Sequence, residues 1–131
     1  MHESPRVQRY LGKPPPRKRP GTASLGKYLS TIEKAGGWGE LQRVLRTCGK
    51  IAKKHGVSIA NVATRWVLDQ PGVAAVIIGA RLGKKKSATH INENIASLHF
   101  ELDAEDLTEI EDALSHLAML PGDCGDEYRG R

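Results

Sequence analysis

The sequence predicts a mainly α-helical chain with a single β-strand, built around an α-β-α unit. Three observations carry that expectation. Apolar residues recur at helical spacing through most of residues 24–117. One run, Val73 to Ile78, contains no polar residue, as suits a strand covered on both faces. Between these segments fall the glycines, prolines and capping side chains that stop a helix and turn a chain.

The elements follow in chain order. Residues 1–22 read as a basic, proline-rich, flexible N-terminal segment. Its stretch "KPPPRKRPG" excludes a helix, because each proline fixes φ and removes a backbone donor. The same stretch fits a polyproline ligand or a nuclear import signal, two short patterns that arise often by chance. Residues 23–118 form the structured part. A short helix is expected from about Ser24 to Lys34, ended by Gly36-Gly37. The next runs from about Trp38 to His55, with Leu41, Val44, Leu45, Cys48 and Ala52 on one face. Gly56 is placed to cap its C-terminus. Ser58 then caps a third helix, "SIANVATRWVLDQ", whose inward stripe is Ile59, Val62, Ala63, Trp66 and Val67. Pro71 stops it and Gly72 turns the chain into the Val73–Ile78 strand. A further helix is expected from Ser87 to Leu98, with Ile91, Ile95 and Leu98 inward. The last starts at Asp103, with Asp106 three residues on in a capping-box pattern and Leu107, Ile110, Leu114 and Leu117 as its stripe. Residues 119–131 are a tail without periodicity.

At 131 residues the chain suffices for one small domain with a modest core. No apolar run approaches the ~20 residues of a membrane span, and "MHESPRVQRY" lacks the apolar segment of a secretory signal. With only Cys48 and Cys124, reduced thiols and a cytoplasmic location are expected. Cys48 reads as a small core residue on its helix. The net charge of +5 is unevenly spread: residues 101–112 carry seven acids and no cation. The basic head suits either a solvated tail or contact with an acidic partner. The few aromatics (Trp38, Trp66, Phe100 and three tyrosines) argue against base stacking and hence against nucleic acid.

The strand's end poses the functional question. Gly79 lets the backbone approach a ligand closely. Arg81, Lys84, Lys85 and Lys86 follow, then a helix N-terminus with its unpaired N–H groups. Such a loop suits a phosphate or is simply a solvated lysine loop. The spacing is neither a P-loop nor the usual dinucleotide fingerprint. Glu93 and Asn94, one to two turns into the helix, suit contact with a base or ribose, or plain surface. A lone strand is also odd, since a fully apolar strand belongs inside a larger parallel sheet.

"GVSIANVATRWVLDQPGVAAVIIGARLG" followed by "HINENIASLHFELDAEDLTEIE" resembles the C-terminal part of an aldo/keto reductase, a family of (β/α)8 TIM barrels that reduce carbonyls with NADPH. The resemblance runs from about Arg9 onward. It implies that Val73–Ile78 is the eighth barrel strand and that NADP is the cofactor. It places Gly79, Ala80 and Arg81 near the adenosine 2′-phosphate, and Glu93 and Asn94 as the "EN" pair at the adenosine. His90 falls where the family often has Arg or Gln at the same end of the cofactor. Many members carry Lys-Ser where this chain has Gly79-Ala80, and the loop from Leu82 to Thr89 is a few residues longer than usual. The family's catalytic Asp, Tyr, Lys and His lie on earlier barrel strands, and nothing here matches them: no catalytic residue and no metal ligand is expected. The chain is thus expected to be a truncated aldo/keto reductase, a C-terminal fragment inactive alone, binding NADPH weakly through its adenosine-side segment. The alternative is a non-catalytic interaction module. It would dock a protein partner, or self-associate, through the apolar surface a barrel would cover, or meet an acidic partner through its basic N-terminal segment.

Overall fold

The computed structural model describes residues 10–17, 23–78 and 87–122. Among these residues five α-helices follow in order: α1 (Ala23–Lys34), α2 (Trp38–His55), α3 (Ile59–Leu68), α4 (Ser87–Ile95) and α5 (Ala104–Ser115), with a 3-10 turn over Ala96–Leu98 between the last two. α2 is central and packs against both α3 and α5. Cys48, Ile51 and Ala52 of α2, Val62 of α3 and Ile110 of α5 form the core with Leu102 from the link before α5. Val44, Ile59, Trp66, Phe100, Leu107 and Leu114 pack around them.

The boundaries are set by local chemistry. At the end of α1 the Gly37 N–H reaches back to the Ile32 carbonyl at 2.8 Å. Gly36 and Gly37 make this turn with φ of 125° and 94°, values open to glycine and strained for other residues. Gly56 ends α2 in the left-handed region, with its N–H on the Ala52 carbonyl. α3 and α5 each begin with a reciprocal capping box, Ser58 with Asn61 and Asp103 with Asp106. The Ala118 N–H donates to the Ala35 carbonyl at 2.9 Å, tying the end of α1 to the stretch after α5.

Within the basic N-terminal segment, residues 10–13 lie against the start of α2. The buried Gln42 side chain accepts from the Gly12 N–H at 2.8 Å and donates to the Tyr10 carbonyl at 2.7 Å. The Trp38 indole N–H donates to the Lys13 carbonyl at 2.8 Å, and the Tyr10 and Trp38 rings meet edge to face at 5.4 Å. Pro14, Pro15 and Pro16, which follow, are exposed.

Two expectations are corrected. Val73–Ile78 does not form a strand: no strand occurs among the described residues. The turn before it is present, with the Val73 N–H on the Gln70 carbonyl at 3.2 Å and Gly72 at φ 82°. Beyond that turn the chain is irregular and Ile77 is 86 % exposed. A strand exists through hydrogen bonds to a neighbour, and an apolar run supplies only the side chains. The α-β-α unit is therefore an α-helical chain with an unpaired apolar linker. The second correction concerns α4 and the 3-10 turn. Ile91, Ile95 and Leu98 face outward, Leu98 being 61 % exposed, and Val67 at the end of α3 is exposed as well. Their helical spacing is real, but the surface they would pack on is not among the described residues.

Candidate functional site

The residues expected to meet a cofactor all follow the linker in sequence. Gly79, Ala80 and Arg81, with Lys84, Lys85 and Lys86, fall outside the described residues. His90 lies on α4. Glu93 and Asn94 follow on the last turn of the same helix, both half-buried.

The last carbonyls of a helix have no partner within it. Here side chains supply partners. Asn61, on the first turn of α3, donates from Nδ2 to the Glu93 carbonyl at 2.6 Å. Its Oδ1 accepts from the Ser58 N–H at 3.1 Å and the Ser58 hydroxyl at 2.9 Å. The Ser97 hydroxyl, from the 3-10 turn, donates to the Asn94 carbonyl at 2.7 Å. Both Asn61 and Ser97 are buried. The "EN" pair is thus held by its backbone. Sequence reading missed Asn61 and Ser97 in this role: Asn61 and Glu93 are 32 positions apart, and Ser97, three residues after Asn94, belongs to no recognisable motif.

A second polar cluster joins α2 to α5. The Lys54 ammonium contacts Asp103 Oδ2 at 2.5 Å and Asp106 Oδ1 at 2.9 Å. His55 Nε2 lies 2.6 Å from Asp106 Oδ2 and, with the carboxylate ionised, donates to it. Asp106 is among the most buried side chains of the protein. Burial pushes its carboxyl upward, but hydrogen bonds from His55, Lys54 and the Asp103 N–H prevail and hold it below the usual carboxylate range. Hydrogen bonds to Asp103 and Asp106 raise the Lys54 ammonium. His55, Asp103 and Asp106 bring three ligand-type atoms within 4.8 Å of one another, but the Lys54 ammonium already sits on both carboxylates. The cluster is a clamp between helices.

The remaining candidates are structural. The Cys48 thiol is free and buried, and burial pushes its pKa up to about 11, so it is an inert core group. An open cleft of about 590 Å³ is lined by Arg65, Asp69 and Leu98–Leu102, and its Arg65 guanidinium is paired with Asp69. No described helix is long and apolar enough to cross a membrane.

The chain belongs to the aldo/keto reductase family, whose model matches residues 5–115. The family is one of TIM-barrel oxidoreductases, and the matched stretch includes all five helices and the 79–94 segment. Among similar proteins, Flagellar radial spoke protein 5 of Chlamydomonas reinhardtii is 42 % identical over 64 residues, 47 % of this chain and 12 % of that protein. Protein tas of Escherichia coli is 35 % identical over 98 residues, 66 % of this chain and 27 % of its own length. An aryl-alcohol dehydrogenase of Pestalotiopsis microspora is 33 % identical over 73 residues, 56 % of this chain and 18 % of its own. The chain therefore spans about a quarter or less of the curated relatives it matches.

Proposed function

We propose that this chain is the adenosine-side cofactor segment of an aldo/keto reductase whose full activity is NADPH-dependent carbonyl reduction. The observation that carries the reading is the family match over residues 5–115, which takes in the whole 79–94 segment. In this reading Arg81 meets the 2′-phosphate, with Gly79 and Ala80 allowing close backbone approach. Glu93 and Asn94 meet the adenosine, and His90 lies toward the same end. When bound, the cofactor supplies the hydride. The residues of this chain orient its adenosine end and do not touch the reacting carbon. Barrel enzymes of this kind draw their active sites from the ends of several strands, and residues 1–131 offer no match to the family's proton donor. The isolated chain is therefore expected to bind the cofactor weakly and not to turn it over.

The test is a titration with 2′-phosphoadenosine of the wild type, Arg81→Ala, Asn94→Ala and a Lys84, Lys85, Lys86 triple alanine variant. A charge-assisted phosphate contact is worth roughly 1.5–3 kcal/mol, so Arg81→Ala should weaken binding about tenfold or more. Loss in the triple variant alone, with none at Arg81 or Asn94, would leave only a diffuse cationic loop and overturn the site. NADPH consumption with a panel of aldehydes, if it scaled with repurified protein, would overturn the inactive reading.

A second reading is favoured by one observation, the exposure of Ile77, Ile91, Ile95 and Leu98. It makes the chain a docking module that meets a protein partner or a second copy through this apolar surface. The name of the radial spoke relative supports a role of this kind in an assembly. Concentration-dependent mass in sedimentation, unaffected by 2′-phosphoadenosine, would favour it.

A further inference from the structure

We infer that Asn61 is a positioning residue for adenosine recognition: through its hydrogen bond to the Glu93 carbonyl it fixes the helix that carries Glu93 and Asn94. The inference deepens the proposed function and rests on it for the identity of the ligand.

α2, α3 and α5 meet through a core of apolar side chains. α4 differs from them, since Ile91 and Ile95 are exposed. Its last turn is instead registered to the core by polar groups. Asn61 is 2 % exposed and follows directly on the buried Ala60 and precedes the buried Val62, so its backbone moves with the core. Its amide has both ends engaged. Oδ1 takes the two Ser58 donors, and Nδ2 is directed at the Glu93 carbonyl. The opposite orientation of the amide would set NH₂ against the Ser58 N–H and oxygen against the Glu93 carbonyl, so the network fixes it. A buried amide deprived of one partner is costly. Any displacement of the last turn of α4 from α3 therefore breaks a well-formed bond at a buried site. Glu93 and Asn94 are adjacent on that turn, and Ser97 holds the next carbonyl along. One amide thus serves two tasks, starting α3 and placing the pair on α4.

The two tasks are separable. Asn61→Asp keeps an acceptor for both Ser58 donors and suits a helix first turn, but removes the donor to Glu93. Ser58→Ala weakens the cap of α3 and leaves the Asn61 donor in place. The experiment compares amide hydrogen exchange of residues 91–98 in the full chain, and the affinity for 2′-phosphoadenosine, in wild type and both variants. Exchange in α4 should quicken roughly three- to tenfold in Asn61→Asp, the factor that one ordinary hydrogen bond represents. Affinity should fall by up to the same factor, through the smaller share of molecules with α4 in place. Ser58→Ala should quicken exchange in α3 and leave α4 and the affinity near wild type. Unchanged α4 exchange in Asn61→Asp would overturn the inference, as would equal effects of the two variants on α4 or on affinity. If the wild type binds no 2′-phosphoadenosine, the proposed function fails, while α4 exchange still decides whether Asn61 positions that helix.

Discussion

Ile51 and Ile77 are the same residue type on two halves of the molecule, and their fates differ. Ile51 is 1 % exposed at the meeting of α2, α3 and α5, whereas Ile77 is 86 % exposed on the linker after α3. The contrast extends to Val62 and Val67, five positions apart on one helix, with 0 % and 37 % exposure. The first half, α2 with α3 and α5, closes on itself: capped helices, a continuous core and a charged clamp. The second, from Val67 through Leu98, carries apolar side chains whose cover is not among the described residues. Apolar patterning specifies which side of an element avoids water. It does not specify that the covering surface lies in the same stretch of chain.

The largest expected effect breaks that comparison directly. Ile51→Ala removes buried methyl groups from the closed half and should destabilise the fold by about 2–5 kcal/mol. Ile77→Ala, at an exposed position, should change stability by no more than about 0.5 kcal/mol in either direction. Urea unfolding of both variants gives the difference. A comparable loss in Ile77→Ala would mean that the linker is buried in solution, by a partner copy or a neighbouring segment, and the contrast between the halves would disappear.

What was legible in the sequence follows the same division. The helix ends at Gly36-Gly37 and Gly56, and the caps at Ser58 and Asp103, were readable because each depends on residues a few positions apart. The α2 and α5 stripes were readable because their partners are present. Val73–Ile78 misled for the opposite reason. Six apolar residues describe the environment a strand needs, while the strand itself depends on a hydrogen-bonding neighbour. For α4 the spacing marks one apolar stripe, but Ile91, Ile95 and Leu98 on it are exposed rather than inward. The site divides likewise. The "EN" pair stands out as a motif, whereas Asn61, which holds the Glu93 carbonyl, is 32 positions away, and Ser97, though only three residues past Asn94, matches no pattern. The Lys54–Asp106 clamp was likewise invisible, since its partners are 52 positions apart.

The second effect sharpens the account of the closed half. Asp106 caps α5, accepts from His55 and meets Lys54, all from a buried position. Asp106→Asn should cost about 1–3 kcal/mol, the usual range for disrupting a buried polar group's partners. The pH dependence has a definite sign. A carboxyl held below its ordinary value stabilises the folded state fully above that value, about 3.9, and loses the contribution as the pH falls through the folded pKa. Lys54, raised above its ordinary value near 10.4, stabilises below that value and loses its contribution as the pH rises through its folded pKa. Stability should thus hold across the neutral range and fall at the acid end, and Asp106→Asn should flatten the acid limb. Thermal unfolding followed by circular dichroism at stepped pH measures it. An acid limb unchanged in Asp106→Asn would assign acid sensitivity to other carboxylates and reduce the clamp to an incidental contact.

The smallest effect separates the two lysines of α2 that reach α5. Lys50 contacts Glu109 Oε1 at 2.5 Å and Lys54 contacts Asp103 at the same distance, so distance alone ranks them equal. Surroundings do not. The Lys50 side chain is 70 % exposed and meets a single partner that is itself partly exposed. Its ammonium is raised by the hydrogen bond to Glu109, but water and salt screen such a pair, and ordering two long side chains offsets most of its attraction. Lys54 also neutralises Asp106, a buried carboxylate that would otherwise keep its charge with fewer donors. Lys50→Ala should therefore leave the urea midpoint within experimental error at physiological salt, while Lys54→Ala should lower it and shift the acid limb toward neutral pH. Repeating both at high salt isolates the cause. Any small effect of Lys50→Ala should vanish there, and the greater part of the Lys54→Ala effect should persist, because the carboxylate it leaves behind is shielded from the added ions. Equal losses in the two variants, both erased by salt, would make the clamp an ordinary surface pair and remove the electrostatic distinction between the closed half and the rest of the chain.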